Sequence, residues 1–163
     1  VSDRPLNWDK KLLKTINQSY SKAPFYRNIY PVVEEVFSLC SGSSVADVAT
    51  QSIKAVLSYL NISKDIVETS INYGNTHLKS EQRIISICKK EGASTYINVV
   101  SGKELYSTES FAREGLELRF LRPVIVPYLQ YGHNFISGLS ILDVLMYCEK
   151  ETVKHMMLQH EMV

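Results

Sequence analysis

The sequence predicts an α/β protein with a small, mainly parallel sheet flanked by helices and a helix-rich N-terminal half. Three observations carry that prediction. Apolar residues recur at helical spacing through residues 9 to 60. Three β-prone segments, at 65–72, 95–100 and 116–121, alternate with helical stretches, which is the pattern of βαβ units in a sheet. The intervening helical stretches run out at glycines, Gly92 and Gly115.

Taken in order, DKKLLKTINQSYS at 9–21 places Leu12, Leu13, Ile16 and Tyr20 on one face, with Lys10, Lys11, Lys14 and Gln18 away from it and Asn7 as the expected N-cap. Ala23-Pro24 interrupts the pattern. PFYRNIYPVVEEVFSLC then aligns Phe25, Ile29, Val32, Val33, Val36 and Phe37, and Pro31 is expected to kink or divide that helix. SGSS at 41–44 is a turn and cap signal, after which Val45, Val48, Ala49, Ser52, Ile53, Val56, Leu57 and Leu60 make one stripe. DIVETSINY alternates as a strand does and stops at Gly74-Asn75. Ser80-Glu81 opens a helix that turns Ile84, Ile85, Ile87 and Cys88 inward, and KKEG closes it. With the strand at 95–100 these make a βαβ unit, for which parallel strands and a right-handed crossover are expected. Thr108 is the expected cap of a helix over 108–114, and LELRFL is a third strand. RPVIVPYLQYGHNFISG, with two prolines and two glycines, reads as a long structured loop. Ser140 caps a further helix, and ETVKHMMLQHEMV continues the helical spacing to the end.

At 163 residues, 18.6 kDa and 45% hydrophobic, the chain is sized for one domain with a real core. A net charge of +1 provides no electrostatic case for a nucleic-acid partner. Cys40, Cys88 and Cys148 lie far apart with no CxxC pair and are expected to be free thiols in a reducing cytoplasm. No stretch approaches the ~18 apolar residues of a membrane span, and VSDRPLNWDKK has no signal pattern. The opening valine suggests a fragment of a longer chain. His155 and His160 are five apart, not the i, i+4 spacing of a helical zinc pair, so no metal site is expected.

Ligands of open α/β sheets gather beyond the carboxyl ends of strands, which directs attention to SGKELY after the strand at 95–100. Backbone N–H groups at Ser101 and Gly102, with the Lys103 ammonium, suit a phosphate or carboxylate oxygen. The motif is not a P-loop, because Ile97 stands where its first glycine belongs and Glu104 where Ser or Thr would hold magnesium. The plainer reading is a glycine that supplies positive φ at a turn. Tyr106 and Asn98 either shape the pocket or simply pack. In QYGHNF, His133 is the candidate general base, with Gln130 and Asn134 to orient an amide or hydroxyl; the alternative is an ordinary surface histidine. Asp143 is the one charge on an otherwise apolar helical stretch, and a buried carboxylate needs partners. It either ties down the loop before it or takes part in catalysis. Arg83 reads as a phosphate contact or as part of a solvated face.

WDKKLLKTINQSYSKAPFY, RIISICKKEGASTYINVVSGKELY and FISGLSILDVLMYC, in that order, resemble the WbqC-like family, over nearly the whole chain from Trp8 to Cys148. The resemblance implies a single WbqC-like domain over residues 1–163, the carboxyl-terminal part of a longer family chain. The family's amino-terminal stretch, with a QPxxFPxxGY-type motif after its first strand, is missing from this sequence. It further implies cytoplasmic work in O-antigen or other lipopolysaccharide biosynthesis. The implied reaction is transfer of an acyl or aminoacyl group to a nucleotide-linked amino sugar. The partners would be that sugar and an acyl donor, with no cofactor. The site would sit at the carboxyl edge of the sheet, under the loop of Gln130 to Asn134. The rival readings are a non-catalytic sugar-nucleotide-binding or accessory subunit and a pure interaction module.

Overall fold

The stripe of Leu12, Ile16 and Tyr20 folds into helix α1 (Trp8–Tyr20) in a computed structural model that describes residues 7–39, 43–132 and 134–163. Among these residues the further helices are α2 (Tyr26–Leu39), α3 (Val45–Tyr59), α4 (Ser80–Lys90), α5 (Thr108–Arg113), α6 (Ile141–Tyr147) and α7 (Lys150–Met157). The strands are β1 (Thr95–Val99), β2 (Glu117–Pro123) and β3 (His160–Met162). The protein is therefore α/β, with helices predominating. Contacts divide it into a helical unit, reaching to Asp65 and resuming over Ile125–Leu158, and a sheet unit of Ile66–Val124 with Gln159–Val163.

The helical unit packs α1, α2, α6 and α7 around Ile16, Ile29, Leu60, Leu145, Met146 and Val153. Its helix ends follow from local chemistry. Ser44 and Asp47 form a reciprocal capping box at α3, each satisfying the other's backbone N–H. Asn7 does occupy the N-cap of α1, but in the left-handed region at φ 62° and with no side-chain cap bond. Asparagine tolerates that conformation better than most residues. Pro31 does not divide α2, which runs through it. The ring deprives only the Arg27 carbonyl of its helical donor, and both residues are exposed to water that can replace it. Among the described residues of 124–140 there is no helix or strand, as the prolines and glycines of that loop predict.

In the sheet unit the strand order is β1-β2-β3. β1 and β2 are parallel, with Tyr96 opposite Leu118 and Asn98 opposite Phe120, and α5 lies in the connection between them. β3 is antiparallel to β2, pairing Met162 with Leu121 and His160 with Pro123, so the sheet is mixed. Two expectations are corrected here. Residues 65–69 form no strand and 70–73 make a 3₁₀ turn, so α4 crosses over no strand pair. The chain's last residues are not helical either, because β2 offers them a free backbone edge, and pairing with it satisfies N–H and C=O groups that local spacing alone leaves open.

Gly92 and Gly115 end α4 and α5 in the same way. Each takes positive φ, 64° and 74°, and the N–H of the next residue, Ala93 or Leu116, returns to Cys88 or Phe111 at 2.9 and 3.0 Å. This is the Schellman arrangement, which needs a residue without a Cβ penalty in the left-handed region. Ser107, not Thr108, caps α5 by accepting from the Ser110 N–H at 3.3 Å. The core beneath the sheet is Cys88, Phe111, Leu116, Leu118 and Phe120. Cys88 and Cys148 are buried free thiols whose pKa values burial pushes up; Cys40 lies outside the described residues. Among the described residues no helix is long and apolar enough to cross a membrane.

Candidate functional site

Helix α6 begins at Ser140, whose side chain accepts from the Leu142 N–H at 3.2 Å, and this sets Asp143 in the first turn. Asp143 is 6% exposed, the only carboxylate among the buried residues described. Its Oδ2 accepts the hydroxyl of Tyr20 from the end of α1 at 3.0 Å, and its Oδ1 accepts that of Tyr128 from the 124–140 loop at 2.7 Å. The carboxylate therefore joins α1, the loop and α6. Tyr147, one turn further along α6, brings its ring centroid to 6.3 Å from that of Tyr20. A carboxylate has about four lone-pair positions. Each oxygen thus keeps one beyond its tyrosine bond.

Burial, and then the bond to Asp143, push the pKa of both Tyr20 and Tyr128 up to about 12. Tyr147 is also raised, by burial first and by the charge of Asp143 second. Because both folded values lie above the ordinary 10.0, the neutral phenols contribute stability that is complete below pH 10 and is lost as the pH rises through about 12. An alkaline titration followed by phenolate absorbance should show a late phase, and Tyr128→Phe should reduce its amplitude. An unchanged late phase in that variant would place Tyr128 in water.

The loop around this carboxylate is closed by Gln130, whose side chain donates to the Ile136 carbonyl at 2.9 Å and accepts the Ile136 N–H at 2.8 Å. Gln130 therefore spends both ends of its amide on the loop backbone. Phe135 packs edge-on to Tyr128 with ring centroids 5.5 Å apart, and Asn134 is exposed. His133 lies outside the described residues.

The other expected site residues belong to the sheet unit. Residues 100–105 wind into a 3₁₀ turn directly after β1, with Ser101 and Lys103 exposed. Gly102 is buried and does not take positive φ. Its lack of a side chain serves a different end, since an added Cβ would meet Asn98 Nδ2 at 2.8 Å and Cγ at 3.3 Å. Asn98 in turn accepts the Val99 N–H at 2.8 Å through Oδ1. Gly102→Ala should therefore displace the Asn98 amide and cost about 1 kcal/mol, the low end for overpacking, because a side-chain tip can yield. In an Asn98→Ala background the same change should cost almost nothing by urea denaturation, whereas an undiminished penalty would assign the strain to the turn itself. Tyr106 packs with Tyr96 and Phe111 at centroid distances of 5.8 and 6.1 Å, and burial first, then the neighbouring Tyr106 hydroxyl, raise the Tyr96 phenol to about 12.

A family model described as the WbqC-like protein family matches residues 1–155. The chain belongs to the WbqC-like family. Neither the curated proteins nor the solved structures contain a match to it.

In this WbqC-like chain the residues singled out from sequence fall into two groups, Asn98 to Tyr106 in the sheet unit and Gln130 to Asp143 in the helical unit. Tyr20 and Tyr128, the partners of Asp143, were not among them. The lone charge on an apolar helix signalled that partners exist, and nothing local signalled which. Arg83 is likewise engaged internally, donating to Ser70 Oγ at 2.8 Å and to the buried Asn75 at 3.4 Å. Among the described residues no three His, Cys, Asp or Glu side chains converge as metal ligands would.

Proposed function

We propose that this protein acts in assembly of bacterial surface polysaccharide, O-antigen or a related lipopolysaccharide glycan, by transferring an acyl or aminoacyl group to the amine of a nucleotide-linked amino sugar. The match to the WbqC-like family over residues 1–155 carries the reading. Within the helical unit the chemistry is assigned to Asp143, held by Tyr20 and Tyr128 and retaining lone pairs for an incoming amine. In the balanced step the amine nitrogen bonds the donor's acyl carbonyl and the carbonyl's bond to its leaving group breaks. The amine proton passes to the carboxylate and from there to the leaving group. His133 is the second candidate base. Ser101 and Lys103 are proposed, separately and within the sheet unit, to hold an anionic oxygen.

Support also exists for the alternative of a non-catalytic sugar-nucleotide-binding subunit, since two tyrosine bonds suit a carboxylate whose task is to fasten a loop. Calorimetry with nucleotide-linked amino sugars, acyl donors and free amino acids, followed by mass spectrometry of the mixture, separates the two. Transfer predicts an amide product, with Asp143→Asn lowering turnover about 10²–10⁴-fold while sugar binding persists. Sugar binding with no product from any donor would favour the subunit. Lys103→Ala should weaken inorganic pyrophosphate binding by about tenfold or more, the loss of one charge-assisted bond; an unchanged affinity would remove Lys103 from the reading.

A further inference from the structure

Helix α3 has a full apolar stripe, yet none of its residues is fully buried. The reason is a cavity of ≈ 390 Å³ between α1, α2, α3 and α6. Leu12 and Ile16 enter it from α1, Val33 and Phe37 from α2, Val48 and Val56 from α3. Ile141, Leu142 and Leu145 line it from α6. No lining residue is charged. Three hydroxyl-bearing residues line it: Ser52, which donates to the Ala49 carbonyl at 2.8 Å, Ser140, which caps α6, and Tyr59. Leu12 and Ile141 stay 40% and 43% exposed, so the space is open on one side and its apolar walls are accessible to an apolar guest.

We infer that this cavity binds an unbranched aliphatic chain, the hydrocarbon portion of an acyl ligand. The absence of charge from the lining rules out a nucleotide or a sugar phosphate as its occupant. A docked helix, about 10–12 Å across, is too thick for the volume, whereas small-molecule pockets begin at about 300 Å³. A neighbouring groove lined by Glu35, Gln51, Lys54 and Ser58 shares Val32, Val36, Ala55 and Tyr59 with it. Asp143 lies on a different face of α6, about 200° around from Ile141 at 100° per residue. That the chain belongs to an acyl donor rests on the transfer reading; that the cavity holds an aliphatic chain does not.

The test is displacement of fluorescent cis-parinaric acid by octanoate, decanoate and laurate, with no sugar present. One site per chain is expected, with affinity rising about fourfold per methylene until the cavity is full and then levelling. Ala55→Phe and Val48→Phe, which fill the cavity from α3, should each weaken binding by about tenfold or more. No displacement, more than one site per chain, a rise that never levels, or full affinity in a folded filling variant would each overturn the inference. If a filling variant does not fold, the chain-length series on the wild type decides. Saturable binding of these acids without any acyl transfer keeps the inference and sinks the transfer reading. Transfer from an acetyl donor, with no binding of the longer acids, does the reverse.

Discussion

Phe111→Ala is expected to destabilise the sheet unit by about 3–5 kcal/mol, the range for emptying a fully enclosed aromatic site. Phe111 has no exposure to solvent. Its ring stacks on Tyr96 of β1 at 5.6 Å with an interplanar angle of 12° and meets Tyr106 edge-on. Its carbonyl also receives the Leu116 N–H that turns the chain from α5 into β2. Truncation removes the packing between α5 and the parallel strands and leaves the backbone carbonyl of that turn in place. Urea denaturation measures the loss, and a cost below about 1 kcal/mol would show that the aromatic trio relaxes to fill the space. Tyr106→Phe, which deletes only the hydroxyl and keeps the ring against Tyr96 and Phe111, should cost about 1 kcal/mol or less, at most the worth of one ordinary hydrogen bond.

Asp143→Ala should cost about 2–4 kcal/mol, because it leaves two part-buried tyrosine hydroxyls without their acceptor at once. Asp143→Asn should cost clearly less. Its carbonyl oxygen can accept one phenol while its NH₂ donates to the oxygen of the other, so no polar atom is stranded. Proteolysis adds a second readout. In the alanine variant the 124–140 loop loses the Tyr128 tie and should be cut faster, although the Gln130 to Ile136 bonds remain. If alanine and asparagine cost the same, the hydroxyls have found other partners and Asp143 is not what fastens the loop. The comparison bears on function as well, since a residue that tolerates asparagine structurally can be tested for proton transfer without unfolding the protein.

The parts of this molecule that depend on neighbours in the chain could be read from the residues alone. The apolar stripes of α1, α2 and α3, the Ser44 cap, the glycine ends at Gly92 and Gly115, and the irregular loop between β2 and α6 all rest on spacing within a few residues. The lone carboxylate of Asp143 also announced a buried polar site, because an apolar helix turn has no other place for it. The pairing of β1 with β2 was foreseen, but other choices between partners distant in the chain were left open. DIVETSINY alternates as a strand should, yet no strand pairs with it, while the last residues, read as helix, become β3 because β2 presents a free edge. Tyr20 and Asp143 meet across 123 positions, and Asn98 claims the space that makes Gly102 a glycine. Helix formation and capping are settled by bonds inside one segment, so residue order determines them. Strand pairing, buried hydrogen bonds and cavities are settled by which surfaces come together, and only the tertiary structure decides that.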